Sequence, residues 1–149
     1  MIGVICLGNP FHADDGFGSA VYRRLSARRC PRHVHLLDAS EGGILDVLRQ
    51  CRRAILVSAL ARHLGAPGQV LRLREADVPN DPQGPLGAGP ASILASMNRL
   101  LTPPPQTEVW GAVAERQIPF SLGLSPMVAA AVETASAMLW RELDLTPPE

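Results

Sequence analysis

The sequence predicts an α/β fold, a three-layer sandwich in which a mainly parallel, twisted sheet of about five strands carries helices on both faces. Three observations lead there. Short apolar runs alternate along the chain with segments of helical period, and parallel strands need such helical crossovers to connect them. The run at residues 2–7 is continuously apolar, as a strand covered on both faces would be. Finally, 149 residues suit one core, burying about two-thirds of the surface the unfolded chain exposes. A single domain over 1–149 is therefore expected, without repeats.

Residues 2–7 form an interior strand that ends at the turn Gly8-Asn9-Pro10. Phe17, Ala20, Val21, Tyr22 and Leu25 then recur at helical spacing, with Arg23, Arg24 and Arg28 opposite, which predicts a helix over about 15–28. A second strand at 34–37 ends at Asp38, and Ile44, Val47, Leu48 and Cys51 make a short amphipathic helix. Residues 54–57 are the third strand, followed by a loop starting at Ser58. Pro67-Gly68 turns into 69–73, whose alternation marks a more exposed strand. The Pro- and Gly-rich stretch 76–90 reads as loop. A helix over about 90–101 stops before Pro103-Pro104-Pro105, because proline lacks the amide hydrogen a helix needs. The last strand is 107–113. Val128, Ala131, Val132, Ala135, Met138 and Leu139 lie on one face of a terminal helix, capped by Ser125 with Pro126 at its first position.

Basic and acidic residues balance at 14 each, and every basic residue is Arg. No net field draws the chain to nucleic acid or anionic lipid, so neither is expected as a partner. Cys6, Cys30 and Cys51 are odd in number and lack CxxC spacing, which argues against a disulfide framework or structural zinc. The first apolar run has no basic leader and is too short to span a membrane, so a cytoplasmic location is expected. Trp110 and Trp140 read as packing residues.

In such sheets ligands sit beyond the carboxyl ends of the strands. That edge gathers the loops at 8–18, 38–43, the one from Ser58, and 115–126. In the first, Asp14 and Asp15 follow a strand and precede a helix. One of two successive carboxylates is expected to cap that helix, leaving the other free to bind something. A dinucleotide-binding turn is the obvious rival. It requires G-x-G-x-x-G, yet Cys6 occupies the first glycine position and two carboxylates sit where phosphate would lie. No Ser stands in a G-x-S-x-G elbow either.

Leu7-Gly8-Asn9-Pro10 followed by Asp14-Asp15-Gly16-Phe17-Gly18 resembles the N-terminal signature of the nickel–iron hydrogenase maturation endopeptidases. The likeness continues in order through Asp38 with Gly43, Ala66-Pro67-Gly68, Glu75-Ala76-Asp77-Val78-Pro79, Gly111 with Glu115, and Leu122-Gly123-Leu124-Ser125-Pro126. The resemblance implies a protease that trims a C-terminal peptide from the nickel-loaded precursor of the hydrogenase large subunit. The partner is then that precursor, or another maturation factor if the chain is a non-catalytic chaperone or scaffold.

The resemblance further implies three metal contacts: a carboxylate in the first loop, an Asp at the end of the third strand, and a His before the middle helix. Asp15 matches the first and is the expected catalytic residue. The other two positions fall on Ser58 and on or beside Leu86, so no intrinsic cofactor is expected and nickel of the substrate would be sensed weakly. His63, Glu41 and His12 are the candidates for rebuilding a site around Asp15, although both imidazoles read more simply as exposed loop residues. Asn9, Asp14, Asp38, Glu41 and Glu115 are the expected substrate-binding residues, on a contact face formed by loops 9–18, 38–43 and 115–125.

Overall fold

The computed structural model describes residues 1–80 and 89–145. Strands β1 (Ile2–Cys6), β2 (Val34–Asp38), β3 (Arg53–Leu60), β4 (Val70–Arg74) and β5 (Gln106–Val113) form one sheet in the order β2-β1-β3-β5-β4. Four strands are parallel, and β4 runs antiparallel to β5 at the edge. Helices α1 (Phe17–Ser26) and α4 (Pro126–Leu145) cover one face; α2 (Ile44–Arg49) and α3 (Pro90–Leu100) cover the other. The expected α/β sandwich is the observed one.

Alternation along each strand builds two cores. Val4, Cys6, Ile55, Val57 and Trp110 pack against Phe17, Val21 and Leu25 of α1 and Val128, Ala135 and Leu139 of α4. Ile5, Leu7, Leu56, Leu60, Val109 and Val113 pack against Val47 and Leu48 of α2 and Leu94 and Met97 of α3. β1 and β3 are buried on both faces, which is why they read as unbroken apolar runs. β4, an edge strand, alternates half-buried leucines with exposed Arg72 and Arg74.

Several boundaries differ from expectation. α1 starts at Phe17 because residues Ala13–Gly16 form a separate 3-10 turn. β3 runs three residues past Val57, since Ser58, Ala59 and Leu60 continue the ladder opposite Gly111, Ala112 and Val113 of β5. Ser58 thus lies inside a strand rather than opening a loop. Both tryptophans pack as expected, each beneath a guanidinium: Arg72 lies 4.2 Å from the Trp110 ring centre and Arg28 4.0 Å from that of Trp140. No helix among the described residues is long and apolar enough to cross a membrane.

Candidate functional site at the carboxyl edge of the sheet

From β1 the chain moves outward to β2 and then returns across β1 to β3. Right-handed crossovers in opposite directions put α1 and α2 on opposite faces, and the connections leaving β1 and β3 diverge. A crevice therefore opens beyond the carboxyl ends of β1 and β3, the usual ligand position in sheets of this kind. The Ala13–Gly16 turn, which carries Asp15, packs against β3, the strand that carries Ser58.

The turn is held by close backbone contact. Gly8 has φ +119°, and a Cβ on it would lie 2.0 Å from the Asp15 carbonyl oxygen. With no side chain in the way, the Asn9 amide donates to Asp15 Oδ2 at 3.0 Å. Asn9 Oδ1 accepts from the Phe11 amide at 2.9 Å, so this side chain shapes the turn. Asp15 is half-buried. Burial pushes its carboxyl above the usual carboxylate range, an effect only partly offset by the Asn9 amide and the neighbouring His12.

Asp14 points the other way and is fully buried. Its Oδ2 accepts from the amides of Glu115 (2.9 Å) and Arg116 (2.7 Å) and from Ser125 Oγ (2.8 Å), and its Oδ1 accepts from the Ser125 amide at 2.6 Å. Burial favours the protonated form, but the hydrogen bonds from Arg116, Ser125 and Glu115 outweigh it and hold the carboxyl below the usual range. The expectation that one of the pair caps the following helix is corrected: neither side chain caps α1, and Asp14 instead closes the start of α4, more than a hundred residues away. Ser125, the expected cap residue, spends its hydroxyl as a donor to Asp14. As a substrate-binding candidate Asp14 is thus placed inside the protein, with its acceptor sites filled.

Loops 9–16 and 115–125 are zipped further. The Ala13 amide donates to the Ser121 carbonyl (2.7 Å), the Ser121 amide to the Phe11 carbonyl (2.9 Å), and the Phe120 amide to His12 Nδ1 (3.3 Å). His12 is therefore buried rather than an exposed loop imidazole. Glu115 is anchored by its backbone, and its side chain is half-buried.

The remaining candidates divide by sheet face. Asp38 is in register with Cys6, which is in register with Val57; Cys6 and Val57 face α1 and α4, and Asp38 faces the same way. Its Oδ1 accepts from the amide and hydroxyl of Ser40 at 3.0 and 2.9 Å. Tyr22, which sequence reasoning treated only as a helix-face residue, comes close to Glu41. Burial, then the Glu41, Asp38 and Cys6 charges, push its phenol upward. Ser58, between Leu56 and Leu60, faces α2 and α3, is buried, and donates to the Ala59 carbonyl at 2.9 Å.

The set Asp15, Glu41 and His63 does not assemble. Glu41 follows β2 and His63 follows β3, with β1 between them, a separation of two strand spacings or about 9–10 Å, and both side chains are exposed. Among the described residues no three His, Cys, Asp or Glu side chains lie where they could hold a metal ion. Leu86 lies outside the described residues. Of the metal contacts expected among the described residues, Asp15 supplies a carboxylate and Ser58 a hydroxyl already engaged within its strand.

No family model matches the sequence, and no curated protein matches it. Solved structures do. The chain is similar to the hydrogenase maturating endopeptidase HybD from E. coli, with 26% identity over 96% of this chain and 91% of that chain and a TM-score of 0.79. It is similar to the hydrogenase 2 maturation peptidase from a Thaumarchaeota archaeon, with 25% identity, coverage of 97% and 99%, and a TM-score of 0.69. The [NiFe] hydrogenase maturation protease HycI from Thermococcus kodakarensis shares the fold at 16% identity, with coverage of 96% and 92% and a TM-score of 0.75.

Proposed function

We propose that this chain, a member of the nickel–iron hydrogenase maturation endopeptidase family by its fold and its ordered sequence segments, acts on the precursor of a nickel–iron hydrogenase large subunit and removes its C-terminal peptide. The observation that carries the reading is Asp15, fixed by the Asn9 amide at the switch point of a sheet shared with proteins described as maturation endopeptidases. A half-buried carboxyl with a raised pKa, presented at a crevice, suits a ligand or a proton acceptor for attacking water. The nickel belongs to the substrate. The cytoplasm is the compartment in which this reading places the reaction.

The test is to incubate the protein with nickel-loaded precursor and weigh the large subunit. Loss of the C-terminal extension, abolished by Asp15→Asn, supports the enzyme; uncleaved precursor under conditions where a maturation endopeptidase cuts it sinks that reading. A second reading, a docking protein that holds the precursor or another maturation factor without cutting, is favoured by Ser58. A hydroxyl bonded to its own strand supplies neither the charge nor the free lone pairs of a carboxylate ligand. Stable co-elution with intact precursor, insensitive to Asp15→Asn, supports it.

A further inference from the structure

The two zipped loops, one of which carries Asp15, hold large apolar side chains in water. Phe120 is 93% exposed, Leu122 74%, Phe11 59% and Ile118 45%. Water-exposed aromatic and aliphatic groups gathered on one short stretch mark a surface that another molecule covers. Here the exposure is built in. Phe120 is a non-glycine residue at φ +59°, in the left-handed region that side chains disfavour. Its amide is tied to His12 Nδ1, and its ring packs edge-on against the His12 ring with centroids 5.8 Å apart. The neighbouring Ser121 amide is tied to the Phe11 carbonyl. Ala13, the other described non-glycine residue at positive φ, lies on the same loop pair. Strain at a fixed outward-pointing residue is what a preorganised recognition element costs.

We infer that Phe11, Ile118, Phe120 and Leu122 form a docking ridge for an apolar segment of the large-subunit precursor, next to the part of it presented to Asp15. This rests on the reading that the precursor is the partner. What selects that occupant is continuity: Phe11 and Asp15 share one short loop, and Asp14 clamps the ridge's other loop to it through Glu115, Arg116 and Ser125. The ridge is apolar, so the segment it takes buries aliphatic or aromatic side chains.

The experiment measures affinity of the full chain for purified precursor, comparing wild type with Phe120→Gly and with Phe120→Gly/Leu122→Ser. Glycine accepts the positive φ, so the thermal midpoint should stay level or rise. The double variant should lose at least about tenfold in affinity, as central aromatic anchors do. Wild-type binding with equal affinity in both variants overturns the ridge and leaves the proposed function standing. If the wild type does not bind precursor at all, the proposed function falls and the ridge with it. A concentration-dependent dimer lost in the double variant assigns the ridge to a second copy of this chain and overturns the inference.

Discussion

Asp14 and Asp15 are chain neighbours whose carboxyls shift in opposite directions, so they give opposite pH signatures. Asp14 has a lowered folded-state pKa. Its contribution is present above the unfolded carboxylate range and is lost as pH falls through the folded value. Asp14→Asn leaves donors from Ser125 and Arg116 facing an amide, and should cost about 3 kcal/mol at neutral pH. In denaturant titrations the gap to wild type should shrink as the medium becomes acidic; a gap independent of pH would refute the clamp. Asp15 has a raised folded-state pKa. The advantage of its neutral form is complete below the unfolded value and disappears as pH rises through the folded one. Asp15→Asn keeps an acceptor for the Asn9 amide without the charge, so at neutral pH the variant should be more stable than wild type while any processing activity drops. A less stable variant at neutral pH would contradict this electrostatic account.

At the scale of elements, the way α1 meets β1 depends on a residue without a side chain. A Cβ at Gly18 would sit 2.0 Å from the Leu7 carbonyl oxygen and 2.8 Å from its amide nitrogen, both rigid backbone atoms. Gly18→Ala should therefore displace the helix and cost upwards of about 3 kcal/mol, read from the denaturation midpoint. A loss under about 1 kcal/mol would show that the helix slides freely. The interior strands and the α4 face were legible because burial writes directly into residue pattern: two-sided burial gives the run at β1, one-sided burial the 3.6-residue period of α4. The last three residues of β3 were not, because Ser58 and Ala59 are held by pairing with β5, a contact made across 53 residues of chain. The clamp by Asp14 was hidden for the same reason: its partners lie 101 to 111 residues away. Local pattern could mark a carboxylate near a helix start but not identify which helix. Phe120 was invisible as a surface residue, since sequence pattern reads a phenylalanine as core.

At the scale of the whole molecule, the strand order puts the crevice between β1 and β3, and what occupies its walls decides whether nickel is read there. Among the described residues no group of three ligating side chains includes Asp15, so wild type should show no saturable nickel binding below about millimolar, as losing two ligands costs well over the 10- to 100-fold of a mere supporting contact. The family resemblance puts the missing ligands at 58 and on or beside 86, so the variant to test is Ser58→Asp with Leu86→His. Position 58 is buried, so a carboxylate there is disfavoured when ionised, and the double variant should be less stable than wild type in chelator. A metal that binds only the folded form reverses this by mass action, by about 2.7 kcal/mol at a hundred times the dissociation constant. Nickel should therefore raise the thermal midpoint of the double variant by several degrees and leave wild type unmoved. A wild-type midpoint that rises equally with nickel would mean that Asp15 already has partners enough, and that Ser58 is no loss to the site.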